Sequence, residues 1–261
     1  MVRRNRKSPG VLLIPVAFAG EVRPGDDLAE KLADALRHQK LRLQDGDILV
    51  VKHKIVSKAE GRLVRLTEVR PSRAAQAWAR VSGSDARVVE VVFDESRRVL
   101  RKRAIAGRGV LISETRHGFI CANAGVDVSN VDGGNHAVLL PKNPDRSAAR
   151  LRAAIKKRLG TSVAVIISDS FGRPWREGLT EVAIGVAGMK ALRDDRGKRD
   201  AHGYKLRASA EAIADEAACA AGLVCGKLNR TPVCILRGVS YEQGQGSARE
   251  LLRPRKNDLF R

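Results

Sequence analysis

The chain has 261 residues, 43% of them hydrophobic and 30% charged, a balance that supports a folded core and excludes a disordered tail. Its 49 Lys and Arg against 29 Asp and Glu leave a formal charge of +20, which attracts anions of any kind, from nucleic acid to a polyanionic small molecule. No apolar run approaches the roughly 20 residues that cross a bilayer, so no membrane partner is expected.

Aromatic residues are 3% of the chain, too few to offer many stacking platforms to nucleic acid, and no recognition-helix or zinc-finger pattern occurs. The cations are spread along the chain; only Arg3-Arg4-Asn5-Arg6-Lys7 forms a compact cluster. Residues 1–10 therefore read as a basic tail and 11–261 as a single domain. The four cysteines, Cys121, Cys219, Cys225 and Cys234, lack metal-ligand spacing, and no signal-peptide apolar region opens the sequence. They are expected to be reduced core thiols in a cytoplasmic protein.

In chain order, Val11 to Val16 predicts a strand, and Asp26 or Asp27 caps a helix whose stripe is Leu28, Leu32, Ala35 and Leu36. Ile48 to Val51 suits a buried strand. The stretch from Lys52 to Arg62 that follows is unusually rich in cations for a strand exit. Ser72 to Val81 predicts a helix, and Val89 to Val99 another, although the valines at 88–92 also suit a strand. Gly109 to Ser113 and His117 to Cys121 predict strands around a turn. Residues 121–135, rich in Asn, Asp, Ser and Gly, predict an ordered polar loop. Ala137 to Leu140 predicts a strand, Ser147 to Leu159 a basic amphipathic helix, Ser162 to Ile167 a strand, Ala210 to Cys225 a helix and Val233 to Leu236 a strand. The result is a mixed α/β body with polar residues at strand ends, where open sheets bind ligands.

Four clusters carry possible chemistry. Asp127 and Asn130 lie in a Gly-bounded loop and can serve a hard cation and a phosphate or sugar, or simply form an Asx-turn. Asp169 and Ser170 at a strand end suit Mg²⁺ or Mn²⁺, or a cap, and Arg173 and Arg176 behind them suit phosphate clamps. Lys58 with Glu60 reads either as a site or as a solvated pair. Gly226-Lys227 reads either as a site or as a helix C-cap. No P-loop, dinucleotide fingerprint, nucleophile elbow or zinc-protease helix occurs, so any nucleotide is held by an uncommon cradle.

The segments "VVKHKIVSKAEGRLV", "HGFICANAGVDVSNV", "LLPKNPDRSAARLR", "VAVIISDSFGRPWREGLTEVAIGVAGM", "AIADEAACAAGLVCGK" and "LLRPRKNDLF" together resemble the coenzyme F420 gamma-glutamyl ligases, in order from about residue 11 to 260. The resemblance implies an unusual family-specific α/β fold in an intertwined homodimer. It also implies an enzyme that adds L-glutamate through γ-linkages to the phospholactyl deazaflavin precursor of coenzyme F420, through an acyl phosphate. GTP would be the co-substrate, with two divalent Mg²⁺ or Mn²⁺ ions and K⁺ as a further cation. By position, Asp127 and Asp169 would bind metal and Ser170 a second metal. Asn130 and Lys58 would contact GTP, as would the loop Ala19, Gly20, Glu21 and Val22, with His53, Gly226 and Lys227 completing the GTP-binding set.

Three departures from the family pattern stand out: Ala17-Phe18-Ala19-Gly20 for a usual Gly-Leu/Ile-Pro loop, His53 for a small hydroxyl residue, and Leu179-Thr180-Glu181 for Gln-Thr-Asp. The chain resembles a standalone bacterial-type form, without the reductase domain that follows in some relatives. Two other functions compete: a ligase acting on a different phosphorylated acid, and a basic nucleic-acid-binding protein.

Overall fold

The structure, a computed structural model, describes residues 10–105, 108–128 and 134–258. The cation cluster at 3–7, the predicted ligand Asn130 and the last three residues of the chain lie outside the described residues.

Strand β1 (Leu12–Val16) leads by a loop to helix α1 (Leu28–His38). Of the two candidate caps it is Asp27 that accepts the N–H groups of Ala29 and Glu30, while Asp26 accepts from Arg23 inside the preceding turn. Ala29, Leu32, Ala35 and Leu36 are buried, the face that the spacing predicts. Strand β2 (Ile48–Lys52) is buried up to Lys52, and the chain turns straight into helix α2 (His53–Ala59). The cation-rich strand exit is thus a helix start.

After β3 (Leu63–Arg65) comes helix α3 (Arg73–Ser82), capped by Ser72. Helix α4 (Ala86–Glu95) is followed by β4 (Ser96–Ile105), so the predicted helix at 89–99 divides at Ser96. The valines at 88–92 are helical because the Asp85 cap starts a helix that buries Val89 and Val92 against α3 and the neighbouring strands. Strands β5 (Arg108–Thr115) and β6 (Ile120–Ala122) complete an antiparallel three-stranded sheet with β4, and β7 (His136–Val138) pairs with β3. Helix α5 (Pro144–Leu159) begins earlier than predicted, because Asn143 accepts from Arg146 N–H and Pro144 fits the first turn.

Strand β8 (Ala164–Arg173) and strand β9 (Arg176–Ala187) form a long hairpin. The predicted strand end at Ser168-Asp169-Ser170 is therefore mid-strand. Arg173 and Arg176 face each other across a two-residue turn in which Pro174 presets one φ and Trp175 takes a left-handed φ of 57°. A short ribbon, β10 (Arg193–Asp194) with β11 (Ala210–Glu211), precedes helix α6 (Ile213–Cys225) and strand β12 (Val233–Arg237).

The main sheet has the order β1-β12-β2-β8-β9, with β2 and β8 parallel and the other neighbours antiparallel. Its inner strands are continuous apolar runs, as strands covered on both faces must be. Helices α5 and α6 both pack on β9, and α1 packs on α5. Alanines 214, 217, 218 and 221 let α6 approach closely. Smaller apolar clusters fill the space between α3, α4 and the β4-β5-β6 sheet. The architecture is mixed α/β. All four cysteines are free, but Cys219 is exposed on α6 and is not a core thiol as expected.

Candidate active site

The parallel pairing of β2 with β8 ends where β2 stops, with Lys52 in register with Ser168, while β8 runs on to Arg173. Beyond the end of β2 lies a cleft of about 1050 Å³, in the position where open sheets bind ligands. Its floor comes from β8 and β9, one wall from α2, and its rim from the loops after β1, β6 and α6.

Three consecutive residues, Lys52, His53 and Lys54, each meet an acid from a different element. Lys52 Nζ lies 2.5 Å from Glu181 Oε1 on β9, His53 Nε2 lies 3.2 Å from Asp169 Oδ1 on β8, and Lys54 Nζ lies 2.6 Å from Asp127 Oδ2 in the loop. The β2-to-α2 junction produces this fan. A strand alternates its side chains and a helix turns them by about 100° per residue, so adjacent residues at the junction diverge to three partners. Asp127 is fixed in turn by a two-way backbone bridge with Val138, so its loop is held against β7.

Glu181 ties the floor together. It stands opposite Ser170 in the β8–β9 register, accepts Ser170 Oγ at 2.6 Å, and accepts the diagonal neighbour Ser168 Oγ at 2.9 Å. Ser170 N–H also donates to Asp169 Oδ1 at 2.7 Å. His53 and Glu181 are buried at 3% and 8% exposure, while Asp169 and Ser170 stay half-buried and reachable from the cleft. Cys121 is no nucleophile: burial and the nearby Asp169 carboxylate push its thiol up to about 12.

The residues named from the sequence distribute as follows. Gly20, Glu21, Val22, His53, Lys58, Asp127, Asp169, Ser170, Gly226 and Lys227 all line the cleft. Ala19 is exposed on the same loop but outside the lining. Lys58 faces Glu21 at 4.0 Å, while Glu60 accepts from Ser147 Oγ, so Lys58 and Glu60 do not form the surface pair considered above. Gly226 does cap α6, donating to Gly222 O, yet it and Lys227 also border the cleft.

Arg173 and Arg176, expected as phosphate clamps, do not line the cleft. Both sit exposed at the hairpin tip, outside the cleft lining, because β8 runs on past Ser170 and carries them away. Arg173 donates to Glu177 O instead. The residues overlooked are Lys52 and Arg230, which supply cations to the cleft, and Glu181 as its central acid. Glu181 was marked in the sequence only within the Leu179-Thr180-Glu181 departure from the family pattern.

Asp127, Asp169, Ser170 and Glu181 are hard oxygen donors, the set that suits Mg²⁺ or Mn²⁺. Among the described residues no three His, Cys, Asp or Glu side chains form a metal cluster by themselves, so such an ion would take further oxygen ligands from substrate or water.

Residues 18–238 match the family model described as F420-0:Gamma-glutamyl ligase. The chain is 44% identical over 255 residues to the Coenzyme F420:L-glutamate ligase of Methanothermobacter thermautotrophicus, covering 97% of this chain and 99% of that protein. It is 43% identical over 258 residues to the protein so named in Methanopyrus kandleri, covering 97% and 98%. With that of Methanocaldococcus jannaschii it shares 40% identity over 263 residues and the full length of both.

Proposed function

This chain belongs to the F420-0:Gamma-glutamyl ligase family, and from that premise we propose that it joins L-glutamate by γ-linkage to the phospholactyl deazaflavin precursor of coenzyme F420 at the expense of GTP. The observation that carries the reading is the fan of Lys52, His53 and Lys54 against Glu181, Asp169 and Asp127 at the carboxyl end of β2, where its pairing with β8 stops. It brings fixed cations and oxygen donors to one cleft, which is what transfer of a phosphoryl group to a carboxylate requires.

A carboxylate is a poor acyl donor because its leaving group would be oxide. Attack of the acceptor carboxylate oxygen on the γ-phosphorus of GTP breaks the bond to GDP and forms an acyl phosphate. The amine of glutamate then attacks the carbonyl carbon; an amide bond forms, phosphate leaves with the bonding electrons, and the amine proton passes to solvent. Lys58, Lys227 and Arg230 lie along the cleft and are suited to hold phosphate oxygens. Asp127, Asp169 and Ser170 would hold Mg²⁺ or Mn²⁺, which neutralises charge on the transferred phosphoryl group when bound. Glu181 keeps Lys52 and both serines oriented beneath them. A homodimer, K⁺ as a third cation and a cytoplasmic setting complete the proposal, the last supported by four free thiols and by the lack, among the described residues, of a helix long and apolar enough to cross a membrane.

The test is mass spectrometry of the product after incubation with GTP, Mn²⁺, L-glutamate and the unglutamylated deazaflavin. Wild type should give glutamate-sized additions with matching GDP release. Asp127→Asn and Asp169→Asn should each lower turnover by roughly 10² or more while leaving the fold intact. Full activity in both variants would remove these carboxylates from the metal site, and products on another phosphorylated acid alone would reassign the acceptor.

A further inference from the structure

Outside the cleft and sharing none of its lining, a second cavity of about 410 Å³ opens between the end of α2 and the start of α5. Its wall carries Arg62, Lys142, Arg146 and Arg150. Arg62 is matched by Glu95 at 2.8 Å and donates to Leu140 O. Lys142, Arg146 and Arg150 have no ion pair with an acidic side chain among the described residues. The one acid lining the cavity, Glu60, accepts from Ser147 Oγ. Asp145, the nearest acid on α5, is spent on the N–H groups of Val186 and Ala248 and on Ser247 Oγ.

This arrangement costs the free protein stability. Arg146 and Arg150 are like charges four residues apart on one helix, which repel. Lys142 and Arg146 stand at the positive end of a 16-residue helix, where acids are favoured. Lys156, Lys157 and Arg158 at the other end of α5 show the favourable placement. The loop that presents Lys142 is also pinned: His117, kept neutral by a pKa that burial lowers, donates from Nε2 to Pro141 O at 2.9 Å and approaches Lys142 O at 3.2 Å. An anion in the cavity would relieve each of these repulsions.

We propose that this cavity is a second substrate site that binds the free α-carboxylates of γ-linked glutamates already added to the acceptor. The proposal rests on the ligase reading above, which makes such a tail the product. Each γ-glutamyl unit exposes one carboxylate, so a tail presents regularly spaced anions to regularly spaced cations. Lys58 lines the cleft and Glu60 the cavity, two residues apart at the end of α2, so the cavity neighbours the cleft along that helix.

The test uses the full chain and the exposed double variant Arg146→Gln/Arg150→Gln. With GTP, Mn²⁺, L-glutamate and deazaflavin, the first addition should proceed at the wild-type rate, while later additions slow about tenfold and products shorten. Calorimetry with a γ-linked tri-glutamate should show a similar loss of affinity, with inorganic phosphate binding far more weakly to wild type. Unchanged product length and unchanged tri-glutamate affinity would overturn the proposal. So would phosphate that binds as tightly as tri-glutamate and displaces it, which would make the cavity a general anion site. If wild type adds no glutamate at all, the ligase reading fails by itself, and the tri-glutamate titration still decides whether the cavity takes such a tail.

Discussion

Asp169 and Asp127 could be singled out from the sequence because short acidic residues beside Gly and Ser mark a place where side chains serve something other than packing. Their partners were not legible, since Lys52, His53 and Lys54 reach Glu181, Asp169 and Asp127 across 129, 116 and 73 positions, and sequence spacing carries no record of such pairings.

 Glu181→Gln removes the charge facing Lys52 while keeping the size of the side chain. It should lower stability by about 1–3 kcal/mol, because a mostly buried ammonium loses its counterion; an unchanged urea midpoint would mean that Lys52 is satisfied without Glu181. His117 supplies a pH dependence. Burial holds its pKa below the ordinary 6.5, so the unfolded chain takes up a proton before the native one does. The stability it contributes is present above about pH 6.5 and is lost as pH falls below that value. Thermal midpoints followed through the histidine range should drop on acidification, and His117→Gln should flatten that limb.

At the scale of elements, the helices and inner strands were readable because their apolar periodicity is local. The length of the β8–β9 hairpin was not, since its outer half is exposed and polar from Gly172 to Gly178 and is held as strand only by pairing with its partner. That pairing decided the fate of Arg173, Arg176 and Trp175. Trp175 is 82% exposed at the tip. The packing of α5 on β9 depends on Gly185, where a Cβ would lie 2.5 Å from the carbonyl carbon and oxygen of Pro144. Gly185→Ala should therefore destabilise by about 1–3 kcal/mol through forced separation of helix and strand. Equilibrium urea unfolding reads this directly, and a wild-type midpoint would show that α5 shifts without cost.

For the whole molecule, the charge of +20 includes cations that line a cleft and a neighbouring cavity, and under the proposed function they would serve substrates that carry phosphates and carboxylates without any nucleic acid. Attraction of this kind is screened by salt. Raising ionic strength from about 0.05 M to 0.5 M should raise KM for the anionic acceptor several-fold with little change in kcat. A KM insensitive to salt would mean that the net charge plays no part in substrate capture, and inhibition by duplex DNA at low concentration would favour the nucleic-acid reading.

The sequence by itself determined the mixed α/β class, the buried inner strands, helix starts at Asp26 or Asp27 and at Ser72, and the family resemblance, because each rests on neighbours in the chain or on ordered motifs. Only the tertiary structure decided which acid meets which cation, that Glu181 lines the cleft and that the two hairpin arginines lie outside its lining. Strand pairing and the β2-to-α2 turn bring distant residues within hydrogen-bond reach, and such reach is a property of the folded sheet, not of spacing along the chain.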